Sequence, residues 1–195
     1  MAISIDDVQK LRKQTFAPVM ECKKALEEAK GDFSKASDIL KKKGELRAEK
    51  KQDNDTKCGI IEAYIHSNNQ LGSLVELRCE TSFVAKNPDF KKLAYNLAMH
   101  ISALNPEYVS SKKVPEELIE EKKKQYLEEF KKSNKPPEIV KKIVEGKLEK
   151  EFQETCLNKQ AFIKDETKNI DQLIKEAVAK FGENIEIGRF IRFKI

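Results

Sequence analysis

The sequence predicts an α+β fold: short helices at the N-terminus, then a small antiparallel sheet packed with helices and a helical hairpin. Three observations carry it. Residues 4–43 space their apolar side chains at helical intervals. Gly59 to Cys79 alternates around a polar turn. Residues 112–151 are charged at 22 of 40 positions, 12 Lys and 10 Glu, and keep only sparse apolar stripes. Leu, Ile, Val and Phe supply 51 of the 195 residues, enough for a core although 36% of the chain is charged.

The first helix carries Ile5, Val8 and Leu11. The second follows Pro18 with Val19, Cys22, Leu26 and Ala29, and Lys30-Gly31-Asp32 ends it. Ser34 is positioned to cap a third with Ala36, Ile39 and Leu40. Residues 41–57 hold seven basic and four acidic residues and one large apolar residue, Leu46, which reads as a solvated linker, helical in part. The expected division is therefore 1–43 as a helical module, 44–57 as a charged linker and 58–195 as the core domain.

Two strands follow around Ser67-Asn68-Asn69-Gln70-Leu71, with Ile61, Ala63 and Ile65 expected to face the core from one and Val75, Leu77 and Cys79 from the other. A helix after Pro88 presents Phe90, Leu93, Leu97 and Ile101 on one face. The hairpin at about 115–153 has one stripe of Ile119, Tyr126 and Phe130 and another of Ile139, Ile143, Leu148 and Phe152, parted at Ser133-Asn134-Lys135-Pro136-Pro137, the pattern of a short antiparallel coiled coil. A last helix around Ile170 to Lys180 precedes a strand in which Ile185, Ile187, Ile191, Phe193 and Ile195 are expected to share a face. The chain ends inside that strand, so its edge should be paired or covered.

Composition narrows the function classes. A net charge of +5 from 38 basic and 33 acidic residues does not by itself mark a nucleic-acid binder. The Lys runs at 41–43 and 122–124 have no adjacent aromatics for base stacking. No run of 18 apolar residues is present, and the first residues lack a signal-peptide pattern, so a soluble, cytoplasmic protein is expected. Cys22, Cys58, Cys79 and Cys156 form no Cys-x-x-Cys pair, which speaks against zinc, and in a bulge-free hairpin of the expected phase Cys58 and Cys79 fall on opposite faces as free thiols. There is no phosphate-binding glycine loop, so no direct nucleotide binding and no cofactor are expected. His66 and His100 have no nucleophile at a recognisable spacing and read as structural or surface residues, so no catalytic residue is assigned. Phe83, just past a strand and before Asn87-Pro88, reads either as a protruding anchor or as an aromatic folded back onto its own core. Arg12, Val19 and Met20 read equally as a solvated helix face plus ordinary core.

Three segments carry a family resemblance. Val8-Gln-Lys-Leu-Arg-Lys-Gln-Thr15 with Met20-Glu-Cys-Lys-Lys-Ala-Leu26 and Gly31-Asp32 resembles the opening of the elongation factor Ts family. Cys79-Glu-Thr-Ser-Phe-Val-Ala-Lys-Asn87 resembles its second signature. Lys135-Pro-Pro-Glu-Ile-Val-Lys-Lys-Ile-Val-Glu-Gly-Lys147, continuing through Phe162-Ile-Lys-Asp165 to Gly188-Arg-Phe-Ile-Arg192, resembles the rest, in the family's order and at the length of its short, single-core form. The resemblance implies an N-terminal module similar to ubiquitin-associated domains and a guanine-nucleotide exchange factor for the GTPase elongation factor Tu, acting in translation elongation by binding rather than catalysis. It implies that Thr81, Ser82, Phe83 and Val84 reach the magnesium and phosphate end of the GTPase site, with Phe83 as the wedge, that Arg12, Val19 and Met20 dock the module on a GTPase helix, and that the chain pairs as a homodimer. Ser82 stands where members usually carry Asp, Phe16 departs from the usual loop between the first two helices, and Ala161 replaces the usual Pro after Gln160. A protein-interaction scaffold without exchange activity is the alternative.

Overall fold

Residues 3–15, 17–130 and 136–195 are described by the computed structural model; the Phe16 departure and the break at Ser133-Asn134-Lys135 lie outside them. In chain order the elements are α1 (Ile5–Thr15), α2 (Val19–Glu28), α3 (Phe33–Lys51), β1 (Cys58–Ile65), β2 (Leu71–Cys79), α4 (Ser82–Ala85), α5 (Pro88–Leu104), α6 (Glu116–Phe130), α7 (Pro137–Thr155), β3 (Ala161–Phe162), β4 (Asp165–Asn169), α8 (Ile170–Phe181) and β5 (Ile185–Lys194). This is an α+β fold, with a small antiparallel sheet ordered β1-β2-β5 and a separate β3-β4 pair. Contacts divide the chain into two compact units, one of Met1–Glu62, Glu76–Tyr95 and Gln172–Gly188, the other of Ala63–Val75, Asn96–Asp171 and Arg189–Ile195.

In the first unit, α1 to α3 close over Val8, Leu11, Cys22, Ala25, Leu26, Ala29, Ala36 and Leu40. Ile5 and Val19, expected beside them, are exposed. Left-handed backbone at Lys30 and Gly31 ends α2, and Gly31 donates its N–H to the Leu26 carbonyl at 2.9 Å. The cap of α3 is Asp32, whose carboxylate accepts the Lys35 N–H at 3.1 Å, rather than Ser34, which lies inside the helix. The stretch expected as a linker is helical through Lys51. Gly44 supplies the reason: a Cβ built there would stand 3.1 Å from the Ala179 Cβ on α8, and Ala48 one turn on is also buried. The glycine thus permits close helix packing at a position that reads as linker. Phe90 of α5 meets Phe181 of α8 edge-on, with ring centroids 6.0 Å apart.

The sheet departs from the expected phase in two places. In β1 the half-buried residues are Cys58, Ile60, Glu62 and Tyr64, while Ile61, Ala63 and Ile65 face outward; in β2, Val75, Leu77 and Cys79 are buried as expected. The register explains the shift. His66 donates its N–H to the Leu71 carbonyl at 2.8 Å, and a Cβ on Gly59 would lie 2.9 Å from the Arg78 Cα, so opposed positions sum to an odd number. Cys58 therefore opposes Cys79 on the same face, correcting the assignment to opposite faces; both thiols are free. In β5, Ile185 and Ile187 are buried but Ile191, Phe193 and Ile195 are exposed, because the alternation changes phase between Ile187 and Phe190. The five apolar residues do not share a face.

In the second unit, α5 buries Leu97, Ala98 and Ile101, and Ser73 of β2 donates to the Ala98 carbonyl at 2.6 Å. Along the α6–α7 hairpin the apolar seam is Val144 and Leu148, while Ile139 is exposed and Ile143 is only partly buried. Polar contacts complete it: Tyr126 donates its hydroxyl to Glu151 at 2.8 Å, Lys122 pairs with the same carboxylate at 2.7 Å, and the Lys147 ammonium lies 5.0 Å from the Tyr126 and Phe130 ring centroids. The β3-β4 pair, which the sequence does not announce, joins Phe162 to Asp165 and Ala161 to Asn169.

His100 is fully buried in this unit. Its Nδ1 accepts the Ile163 N–H at 3.3 Å, so Nε2 carries the proton and donates to the Gln160 Oε1 at 3.0 Å, and the Gln160 amide in turn donates to the Glu154 carbonyl at 2.6 Å. Burial pushes the His100 pKa below its ordinary value, against the hydrogen bond that His100 donates to Gln160, which raises it. The folded form thus holds the neutral ring, and the unfolded chain binds the extra proton. Stability from this residue is complete above the unfolded pKa of about 6.5 and declines as pH falls below it, by at most about 1.4 kcal/mol per pH unit. Urea titrations at pH 7.5 and 5.5 should show a larger loss of midpoint for the wild type than for His100→Gln; equal losses would refute the assignment.

Candidate functional site

The segment after β2 turns sharply into α4, a single helical turn held by hydrogen bonds at both ends. Thr81 is its cap: backbone φ −123° and ψ 155°, with Oγ1 accepting the Val84 N–H at 3.5 Å. The Thr81 carbonyl accepts the Cys79 thiol at 3.2 Å and the Ala85 N–H at 3.3 Å. Asn87 closes the far end, donating to the Val84 carbonyl at 2.9 Å and accepting the Asp89 N–H on its side chain at 2.9 Å, with Pro88 opening α5.

Four side chains expected to act together point different ways. Thr81 and Ser82 are exposed, and Phe83 is 80% exposed; Val84 is 4% exposed and with Ala85 anchors the turn beneath it. Of the two readings of Phe83 left open by the sequence, the protruding one matches the structure. Val84, expected among the contacting residues, faces the protein interior instead, because a one-turn helix carrying an exposed aromatic needs an apolar foot.

The residues that hold this turn lie far away in sequence. The Glu183 carboxylate accepts the Thr81 N–H at 2.9 Å and the Thr81 hydroxyl at 2.6 Å. The Glu80 carboxylate accepts the Asn184 N–H at 2.6 Å and the Asn54 amide at 3.0 Å, with Lys51 at 3.8 Å. The Asn184 amide donates to the Gln52 and Asn54 carbonyls at 3.2 and 2.8 Å. The Asn184 N–H, then Asn54 and Lys51, hold the Glu80 carboxyl below the usual range. Desolvation, with the Glu183 and Cys58 charges adding, pushes the Cys79 thiol up to about 11, so it is an inert donor at neutral pH. No local signal marks Glu183 or Asn184, since their partners stand about a hundred residues away.

On the N-terminal helices, Arg12 lines a cleft of about 580 Å³ together with Gln9, Lys13, Asn87, Lys180 and Phe181. The cleft thus brings Arg12 to Asn87, the residue that closes the Phe83 turn. Val19 and Met20, 48% and 62% exposed at the start of α2, are not part of its lining. Among the described residues no three His, Cys, Asp or Glu side chains gather as a metal site, and no helix is long and apolar enough to cross a membrane.

Comparison with known proteins identifies the family. A family model described as Elongation factor TS matches residues 5–195. The chain is 50% identical to elongation factor Ts of Pseudothermotoga lettingae over 195 residues, all of this chain and 98% of that protein. It is 52% identical to elongation factor Ts of Thermotoga maritima and to that of Thermodesulfovibrio yellowstonii, in each case over all of this chain and 97% of the relative. The chain belongs to the elongation factor Ts family.

Proposed function

We propose that this chain is a guanine-nucleotide exchange factor that binds elongation factor Tu in its GDP-bound form and promotes GDP release, supporting translation elongation in the cytoplasm. Family membership supports the partner. The observation that carries the mechanism is Phe83, an aromatic side chain 80% exposed on a turn whose backbone is pinned on both sides. An exposed aromatic on a rigid support loses little entropy on docking, which is what an anchor requires. In this reading Thr81 and Ser82 flank the wedge at the magnesium and phosphate end of the GTPase site, and buried Val84 anchors the turn from below. Arg12, Val19 and Met20 form the second contact: a cation at the cleft and two exposed apolar side chains at the start of α2.

Exchange by such a protein is a matter of linkage. A chain that binds the empty GTPase more tightly than the nucleotide-bound form weakens nucleotide binding by the same factor. Displacing magnesium removes charge that holds the phosphates, and the more abundant nucleotide then refills the site. The chain itself supplies contacts, with no catalytic residue and no cofactor. The same reading includes a homodimer formed through the outer face of the sheet in the second unit, where Ile65, Leu74, Ile191, Phe193 and Ile195 are exposed.

Release of fluorescent GDP from elongation factor Tu, with excess unlabelled nucleotide and with or without the chain, tests the proposal. Acceleration that saturates with chain concentration is expected. Binding without acceleration would replace exchange by a scaffold role.

A further inference from the structure

We propose that Glu183 is a positioning residue for this exchange reaction, on which reading the inference rests: it holds the turn that presents Phe83. The arrangement is a reciprocal clasp. The Glu183 carboxylate takes the N–H of the residue after Glu80, and the Glu80 carboxylate takes the N–H of the residue after Glu183, at 2.9 and 2.6 Å. Glu183 also accepts the Thr81 hydroxyl at 2.6 Å, so one carboxylate engages two donors of the capping residue.

Two features make Glu183 the controlling member. First, α4 is one turn long, and a single turn has little stability of its own, so the direction of Phe83 depends on what fixes the turn's capping residue. That residue is Thr81, and Glu183 is the side chain that accepts from both its N–H and its hydroxyl. Second, Glu183 stands immediately after Gly182, which closes α8 with left-handed backbone at φ 73° and donates to the Val178 carbonyl at 2.8 Å. The clasp is thereby tied to the end of a helix. Thr81 is exposed and Glu183 is only partly buried, so the clasp lies at the surface, and its loss frees the turn without emptying the core.

The test uses full-length chain and GDP-loaded elongation factor Tu. Glu183→Ala should lower the maximal rate of GDP release about tenfold, equivalent to about 1.4 kcal/mol, while the half-saturating concentration changes less than about threefold. Glu183→Gln, which keeps one acceptor, should recover part of the rate. In a Phe83→Ala background Glu183→Ala should have a much smaller further effect, because the main side chain it positions is gone. Amide hydrogen exchange on the free chain reads the clasp directly: protection of Thr81 to Ala85 should fall at least tenfold in Glu183→Ala while that of α5 is unchanged. Wild-type rates in Glu183→Ala, effects that multiply with those of Phe83→Ala, or unchanged protection would each overturn the proposal. If the wild-type chain does not accelerate release, the exchange reading fails, and the protection of Thr81 to Ala85 still decides whether Glu183 holds the turn.

Discussion

Replacing Phe83 by alanine should slow GDP release from elongation factor Tu about thirtyfold, the equivalent of losing one buried aromatic anchor worth about 2 kcal/mol. The fold should not change. Phe83 is 80% exposed and contributes nothing to the core, and surface substitutions of this kind stay within about 0.5 kcal/mol of wild type. Val84, its neighbour beneath, is 4% exposed and stays in place to hold the turn. Circular dichroism should therefore report an unaltered melting curve beside a depressed exchange rate. A variant that unfolds would mean that the side chain belongs to the core, and a variant that exchanges at full rate would place the wedge elsewhere on the chain.

The path from sequence to this turn was only partly open, and particular residues show where it closed. The face of α5 was legible because Phe90, Leu93, Leu97 and Ile101 repeat at the helical period and all are buried. The exposure of Phe83 was half legible: its loop position suggested an anchor, but the odd register running on from Cys79 suggested, more strongly, a side chain folded back onto the core. The phase of β1 was not legible, because that strand carries apolar side chains on both faces, Ile60 and Tyr64 on one and Ile61 and Ile65 on the other. Pattern alone cannot choose between such faces; the register across the turn at Leu71 chooses. Gly44 sat among lysines and glutamates and read as linker, since its packing partner Ala179 lies on a helix far along the chain. The clasp at Glu183 and Glu80 is of the same kind, two acids among 33 with nothing local to distinguish them.

The change of phase within β5 moves the ground for self-association from the edge of that strand to a face of the sheet. In the second unit Ile65, Leu74, Ile191, Phe193 and Ile195 are all exposed, the last three at 48%, 61% and 95%. The opposite side of β5 is engaged, with the Arg192 guanidinium donating to the Ser102 carbonyl at 2.9 Å, so the outer face can be changed without disturbing what lies beneath it. An exposed apolar sheet face of this kind is costly to leave in water, and a second copy would cover it with a surface that matches by symmetry. Light scattering at micromolar concentration should accordingly give about twice the 22.4 kDa chain mass. Phe193→Glu should return one chain mass, because the two-fold operation brings two copies of the new carboxylate into an apolar interface, where an unpaired charge costs about 3–5 kcal/mol, a loosening of at least a hundredfold. Its circular dichroism should match the wild type, since the substituted side chain already faces solvent in the single chain. A wild-type chain that scatters as one chain mass at these concentrations, or a Phe193→Glu variant that remains paired, would remove the sheet face as the dimer contact.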